Sequence, residues 1–155
     1  SVVPIFMKQI TNNKKITMTN PIMTRFTITM NQALESIFRA IKNGMGGEVF
    51  VPKLEAYRLG DLKDAVVELL NAKNDTEIIS IRIGEKFHES LISVDEIRNT
   101  FETDEDYILT DKMDNFVNVN NNMKKTQLKN AYSSDKVKLI SKEGLKKMLI
   151  KERII

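Results

Sequence analysis

Apolar and polar residues recur along this chain with two different periods, one helical and one extended. The clearest helical repeat places four apolar residues three and four positions apart: Leu34, Ile37, Phe38 and Ile41. This is the spacing of an amphipathic helix, whose apolar face ordinarily packs on a core. Thr29 and Gln32 have the form of a capping box before it, and Asn43-Gly44 is typical of its end. We therefore predict a capped helix over about 30–43.

Weaker patterns predict the other elements. Helices are predicted over 4–10, from Gly60-Asp61 onward, and after Ser141 as a cap. Strands are predicted in four segments: 14–19, 47–53, 77–83 and 106–110. The run 118–125, "NVNNNMKK", indicates a loop or linker. Helices alternating with strands favour an α/β fold.

The segment "EIISIRIGEKFHESL", residues 77–91, contains the most suggestive polar pair. The alternation predicts a strand with Ile79, Ile81 and Ile83 on one face. Arg82 lies at the end of this strand, shortly before a glycine. Glu85 would then begin a helix, whose free N–H groups favour anions. An arginine at such a position binds phosphate with two parallel hydrogen bonds. An ordinary surface ion pair explains the same residues equally well, and both interpretations stay open at this point.

Composition limits the class of protein. The chain has 155 residues, 41% hydrophobic and 29% charged, which indicates a soluble globular domain. It lacks an apolar run of about 18 residues and a basic segment before its apolar N-terminus, so neither a transmembrane helix nor a signal peptide is expected. With no cysteine there is no thiolate metal site. We expect a cytoplasmic location.

The charge is distributed unevenly along the sequence. From Asn121 onward, ten Lys and Arg residues face three acids, a charge of +7 that leaves −4 for the rest of a chain whose net charge is +3. Such a tail suits an anionic partner, although a solvated helix face is the usual explanation. Nucleic acid is therefore not the expected partner. A non-catalytic scaffold domain with a basic tail remains the alternative function.

Three apparent motifs do not support catalysis. The glycines in 44–47 close a helix and precede a strand, whereas a dinucleotide-binding turn follows a strand and opens a helix. Tyr132 and Lys136 match a Tyr-x-x-x-Lys dehydrogenase pattern, but no glycine fingerprint lies upstream. His88 is the one histidine, so a helical zinc pair is excluded. We predict no metal site and no complete catalytic set in this chain.

Six segments, in order and spacing, carry a family resemblance: "SVVPIF", "ITMTNPIMTRFTIT", "GGEVFVPK", "GDLKDAV", "IRIGEKFHESL" and "AYSS". Together they resemble the C-terminal half of the UDP-N-acetylglucosamine 4,6-dehydratases of polysaccharide and flagellin glycan biosynthesis, which are lyases and some of which are also 5-epimerases. These are extended short-chain dehydrogenase/reductases. The resemblance implies the end of a Rossmann sheet plus a small substrate-binding subdomain.

The resemblance also implies roles for individual residues. Backbone around Val2 and Val3 would meet the nucleotide end of the substrate, and the strand near Thr17 would flank the base. Arg25 and Arg82 would bind the diphosphate, and Glu85 would bind the ribose hydroxyls. The "AYSS" match favours a surface or docking role for Tyr132 over a catalytic one.

The family's cofactor half has no counterpart in this sequence, which begins at Ser1. By resemblance, that N-terminal half carries the NADP loop and the catalytic lysine, so it is the expected partner together with a UDP-sugar substrate and further copies in a homo-oligomer. We expect residues 1–120 to form the nucleotide-sugar-binding part and 121–155 a basic C-terminal extension with a helix. The expected function is therefore the substrate-binding portion of an NADP-dependent 4,6-dehydratase.

Overall fold

A computed structural model describes residues 2–111 and 123–155 of the chain. The helices are α1 (Val2–Thr11), α2 (Met30–Asn43), α3 (Leu59–Leu69) and α4 (Lys142–Lys151), with a 3₁₀ turn at Asp95–Asn99. The first five strands are β1 (Ile16–Met18), β2 (Thr24–Phe26), β3 (Val49–Pro52), β4 (Ala56–Arg58) and β5 (Thr76–Ile78). They are followed by β6 (Ser90–Ile92), β7 (Thr100–Glu102), β8 (Asp106–Leu109), β9 (Lys124–Lys125) and β10 (Tyr132–Ser133).

The strands form small sheets, one parallel and the others antiparallel, within the described residues. β1 and β5 run parallel, whereas β2 pairs with β4 and β6 with β10 in antiparallel fashion. The largest sheet has four antiparallel strands in the order β3-β8-β7-β9. The arrangement is a mixed α/β fold in which short strands connect several helices.

The main core lies where α1, α3 and α4 pack around β1. Its most deeply buried large side chains are Phe6, Ile16, Met23, Leu62, Val66, Leu145 and Leu149. Each fully buried side chain of this kind contributes about 1.5–3 kcal/mol. A second cluster forms around Val51, Ile92 and Tyr132. The main core fixes the start of α1 beside β2 and β4, where the candidate site lies.

The predicted helix over about 30–43 is confirmed in position but not in orientation. Thr29 Oγ1 accepts a hydrogen bond from Gln32 N (3.3 Å), and Thr29 N donates to Gln32 Oε1 (2.9 Å), so the capping box forms. The apolar face that ordinarily packs on a core is exposed, however, while Ser36 is buried. Helical periodicity identifies an apolar face but does not determine what covers it.

The prediction of a strand over 77–83 followed by a helix is wrong. β5 ends at Ile78 because its parallel partner β1 ends at Met18, although Ile79 N still donates to Met18 O. The chain then turns at Gly84 with φ +81°, a conformation that favours glycine. No helix follows Glu85 within the described segment 79–89. The dipole of a helix N-terminus therefore does not contribute to anion binding at this position.

The C-terminal residues 123–155 pack against strands and helices of the preceding sequence. β9 pairs with β7, β10 pairs with β6, and α4 lies against α3. The predicted boundary at 120/121 and residues 118–122 of the predicted loop lie outside the described residues. None of the helices within 2–111 and 123–155 has the length and apolar character that crossing a membrane requires.

Candidate nucleotide-sugar site

A cavity of about 340 Å³ opens between the start of α1, the β2–β4 pair and the loop after β5. Its lining consists of Val2, Arg25, Phe26, Tyr57, Leu59 and Glu85. Three of these residues, Val2, Arg25 and Glu85, are positions that the sequence indicated for substrate binding. The fold therefore brings residues from three distant segments to a single cavity.

Arg25 is held in place by backbone carbonyls. Its Nη1 donates to Thr24 O at 2.8 Å and to Phe87 O at 3.2 Å, which fixes the plane of the guanidinium. Two carboxylates lie farther away: Glu85 Oε1 is 3.7 Å from Nη2, and Glu89 Oε1 is 3.5 Å from Nε. These partly exposed ion pairs are long and therefore weak, so a phosphate can compete for the guanidinium.

Glu85 is positioned by its own hydrogen bonds. Oε1 accepts from Thr19 Oγ1 at 3.1 Å, and Oε2 accepts from the backbone N of Arg82 at 3.2 Å. Glu85 N in turn donates to Arg82 O at 3.0 Å, which closes the turn around Gly84. An ionised carboxylate accepts hydrogen bonds only, and a pair of sugar hydroxyls is a suitable donor for it.

The charges around Arg25 suggest that diphosphate binding needs a second cation, for which Arg82 is the predicted residue. Arg25 faces the carboxylates of both Glu85 and Glu89, so a diphosphate bound there without further positive charge would meet a net negative surface. The side chain of Arg82 is exposed and makes no ion pair with any described residue. Its backbone N donates to Glu85 Oε2 at 3.2 Å, but its side chain does not belong to the lining of the cavity.

Tyr57 is a cavity residue that sequence reasoning missed. It lies directly opposite Arg25 in the β2–β4 pair, and burial raises the pKa of its phenol, an effect partly offset by the charge of Arg25. The phenol therefore stays protonated at neutral pH and can donate a hydrogen bond. The surrounding sequence "AYRL" has no pattern that distinguishes a site residue from an ordinary strand residue.

Three predicted residues lie outside the lining of this cavity: Arg82, Val3 and Thr17. Val3 is buried in the main core. Thr17 is in β1, where its Oγ1 accepts a hydrogen bond from Gln9 Nε2 at 2.7 Å and its backbone N donates to Gln9 Oε1 at 3.2 Å. Gln9 thus fixes this strand to α1, a contact that the sequence did not indicate.

Tyr132 has a structural environment. Its hydroxyl accepts a hydrogen bond from Leu54 N at 2.6 Å, and burial raises the pKa of the phenol. A dehydrogenase tyrosine needs the opposite shift and a lysine on the same helix face. Tyr132 lies in β10, and Lys136 pairs with Asp135 instead. Tyr132 is thus a buried residue of the second core cluster and not a surface residue as expected, and its contacts do not support a catalytic role.

His88 also joins segments of the fold. Its Nδ1 is 2.7 Å from Thr24 Oγ1, which is 2.6 Å from Ser134 Oγ. Ser134 is completely buried and also accepts a hydrogen bond from Glu89 N at 2.9 Å. This network fixes the residue before Arg25 to the segment that carries Glu89. Among the described residues, no group of acidic or histidine side chains is arranged to hold a metal ion.

The glycines of 44–47 do not form a dinucleotide-binding turn. Gly44 caps the end of α2, where a Cβ would lie 2.6 Å from Ala40 O, and Gly46 and Gly47 adopt positive φ in the turn to β3. A phosphate-binding glycine turn instead opens a helix, because the free N–H groups of that helix then point at the phosphate. The glycines of 44–47 form the end of α2 and the turn to β3, as predicted.

Part of the basic C-terminal charge is neutralised within the fold. Lys142 and Lys146 both contact the carboxylate of Glu68 in α3, which raises the pKa values of the lysines and lowers that of the glutamate. These contacts reduce the charge available to an anionic partner. Binding of such a partner by the basic segment remains the alternative to a solvated helix face.

Comparison with known proteins finds one matching family and several similar proteins. The sequence profile of the family described as "Polysaccharide biosynthesis protein" matches residues 1–111. A protein named UDP-glucose 4-epimerase from Rickettsia rickettsii is 37% identical over 97 residues, 63% of this chain and 28% of its own length. A protein of the same name from Rickettsia akari is 33% identical over 153 residues, 97% of this chain and 45% of its own length. An uncharacterized membrane protein of Methanocaldococcus jannaschii is 33% identical over 156 residues, 96% of this chain and 44% of its own length.

The fold also matches a solved structure. The X-ray structure of Pen from Bacillus thuringiensis superposes with a TM-score of 0.86 and 33% identity, covering 100% of this chain and 46% of Pen. The predicted fold class, the α/β C-terminal part of an extended short-chain dehydrogenase/reductase, is confirmed. The chain spans less than half the length of each of these relatives.

Proposed function

The chain belongs to the polysaccharide biosynthesis protein family, and we propose that it is the nucleotide-sugar-binding portion of an enzyme that modifies UDP-sugars. The observation that carries this proposal is the shared cavity of Arg25 and Glu85. A cation fixed by carbonyls and an acceptor-only carboxylate suit a diphosphate and a ribose, respectively. Val2 and Tyr57 complete the walls around them.

The substrate we propose is UDP-N-acetylglucosamine, and the reaction is its 4,6-dehydration. The resemblance of "MTRF" and "RIGEK" to the dehydratases supports this choice. The relatives named UDP-glucose 4-epimerase support a UDP-hexose substrate but favour inversion at C4 as the second candidate reaction. Both reactions need the UDP group anchored while the sugar ring reacts.

The contribution of this chain is to hold the substrate. Arg25 and Arg82 neutralise the diphosphate, Glu85 orients the ribose, and the neutral phenol of Tyr57 donates to an oxygen in the same cavity. Fixing the nucleotide end restricts the position of the sugar, which removes orientational freedom before reaction. NADP, carried by the other half of the enzyme, supplies hydride transfer when bound.

Calorimetry with UDP and UMP on the 155-residue chain tests this proposal. If two arginines bind the diphosphate, we expect saturable binding of UDP that is at least about tenfold tighter than that of UMP, a difference of about 1.4 kcal/mol. Equal affinities would remove the diphosphate assignment, and absence of UDP binding would overturn the proposed function. With the enzyme's other half added, product mass separates the two reactions, because dehydration removes one water and epimerisation leaves the mass unchanged.

A further inference from the structure

Ser134 is a buried polar residue that bonds to both of the segments around Arg25. It directly follows β10 and is completely inaccessible to solvent. Its hydroxyl accepts a hydrogen bond from Glu89 N at 2.9 Å and lies 2.6 Å from Thr24 Oγ1. Its backbone N also donates to Glu89 O at 2.8 Å. Ser134 thus joins β2 to the segment 87–89, although the two are distant in sequence.

The same two segments supply the carbonyls that hold Arg25. Arg25 Nη1 donates to Thr24 O at 2.8 Å and to Phe87 O at 3.2 Å. Ser134 Oγ donates to Thr24 O at 3.2 Å, so this oxygen accepts hydrogen bonds from both side chains. Phe87 lies two residues before Glu89, whose backbone is bonded to Ser134 at both its N and its O. Ser134 therefore fixes both acceptors of Nη1, directly at Thr24 and through the chain at Phe87.

The contacts of Ser134 require a hydroxyl group. A serine hydroxyl has one proton and two acceptor positions, and here it donates to Thr24 O while it accepts from Glu89 N. Alanine would fill nearly the same volume but would leave Glu89 N and Thr24 without this partner, which is costly for buried polar groups. The backbone bond from residue 134 to Glu89 O would remain. Alanine should therefore remove the hydrogen bonds to Thr24 and preserve the course of the backbone.

We propose that Ser134 is a positioning residue for Arg25 and, through it, for the diphosphate of a UDP-sugar. Ser134 lies beyond residues 1–111, which the family profile matches, and within the predicted C-terminal extension 121–155. It does not line the cavity, so its effect on a ligand passes through Arg25. A guanidinium that binds phosphate with two parallel hydrogen bonds needs a fixed plane, and loss of the Ser134 hydroxyl loosens that plane. The diphosphate rests on the proposed function, whereas the position of Arg25 in the free chain does not.

Calorimetry with UDP and UMP compares the wild-type chain with Ser134→Ala and Ser133→Ala. Ser133 is the matched control, because it is the adjacent serine and its hydroxyl contacts Asp135 Oδ1 instead. We expect Ser134→Ala to weaken UDP binding by about fivefold or more and UMP binding by less, because Arg25 serves the diphosphate. Ser133→Ala should leave both affinities unchanged. Equal weakening of UDP and UMP binding by Ser134→Ala would indicate a general structural defect and overturn the positioning role.

A second measurement follows the NMR resonance of the Arg25 Nε–Hε group in the chain without ligand, assigned with Arg25→Lys. We expect Ser134→Ala to shift or broaden this resonance. The Nε–Hε resonance of Arg39 is the internal control, because Arg39 Nε donates to Asp106 Oδ2 at 2.5 Å in the four-stranded sheet and should not respond. Ser133→Ala should change neither resonance. An Arg25 resonance that Ser134→Ala leaves unchanged would overturn the proposal.

The two measurements separate this inference from the proposed function. If the wild-type chain binds no UDP, the proposed function fails, and the Arg25 resonance alone decides whether Ser134 positions the guanidinium. If the wild-type chain binds UDP and Ser134→Ala leaves that affinity unchanged, the inference fails and the proposed function stands. If Ser134→Ala does not fold, Thr24→Val removes the 2.6 Å contact from the other side and replaces it in both measurements, with the same direction of effect expected.

Discussion

Arg25 and Glu85 face each other across the candidate cavity, with 3.7 Å between Nη2 and Oε1, although they come from β2 and from the turn after β5. Each is held by other groups: Arg25 by the carbonyls of Thr24 and Phe87, and Glu85 by Thr19 and the backbone of Arg82. The pair is thus placed independently of its mutual attraction. A ligand can therefore replace the contact between Arg25 and Glu85 without displacing either side chain.

Removal of the unpaired arginine should weaken UDP binding. Because the side chain of Arg82 makes no ion pair with the described residues, Arg82→Ala should have little effect on folding. The loss of a phosphate contact should reduce UDP affinity by more than about 1.4 kcal/mol, a factor of about ten, in calorimetry. Arg98→Ala, which removes another exposed arginine, is the control. Unchanged affinity in Arg82→Ala would eliminate this residue from the site.

The carboxylate of Glu85 should determine recognition of the ribose. The wild-type chain should bind UDP more tightly than 2′-deoxy-UDP, because a hydrogen bond to a charged group contributes about 1.5–3 kcal/mol. Glu85→Ala should abolish most of this difference when the two ligands are compared by calorimetry. Glu89→Ala also removes a carboxylate near Arg25, and Glu89 does not line the cavity, so it should keep the preference. Equal preference in both variants would refute the role of Glu85.

Removing one partner of the Arg39–Asp106 pair should destabilise the fold more than replacing both partners. Arg39→Leu leaves the buried Asp106 carboxylate unpaired and should lower the free energy of unfolding by about 3–5 kcal/mol. Replacing both residues with leucine removes the unpaired charge, so the double variant should recover much of the loss. Urea unfolding measures each value. A double variant as unstable as Arg39→Leu would show that packing, and not the buried charge, controls stability.

Stability should decline at alkaline pH because burial raises the pKa values of all three tyrosines: Tyr57, Tyr107 and Tyr132. A raised pKa means that the folded state keeps the phenolic proton after the unfolded state has lost it. The free energy of unfolding should therefore be constant below about pH 10 with respect to these groups and fall as the pH rises above it. Urea unfolding across this range checks the sign.

Tyr132→Phe provides the control for this pH dependence. It should flatten the alkaline decline, since one titrating phenol is gone. At neutral pH it should also destabilise the fold by about 1–3 kcal/mol, because Leu54 N loses its buried acceptor. A slope unchanged by the substitution would show that Tyr132 does not contribute to the decline.

Local signals were enough to predict some elements. The capping box of Thr29 and Gln32 depends on residues three positions apart, and the structure contains it. The outward orientation of α2 depends on Asp106, which is distant in sequence and attracts Arg39 inward. Alternation over 77–83 likewise could not show where the strand ends, because β1, the partner of β5, ends at Met18.

The site was predictable in part, and mainly through family resemblance. Local chemistry singled out Arg82 and Glu85 but left a surface ion pair as an equal explanation. The position of Arg25 beside Glu85 depends on the path of the whole chain, which no local pattern encodes. Tyr57 was missed because its role comes from its place opposite Arg25 in the β2–β4 pair.

The most direct test of the central claim is a titration of the 155-residue chain with UDP, followed by backbone amide resonances in NMR. The account predicts saturable shifts concentrated at the cavity, at the amides of Val2, Tyr57 and Glu85. Shifts confined to the basic residues of 123–155 would indicate nonspecific anion binding and contradict it. Absence of any saturable shift would contradict it as well.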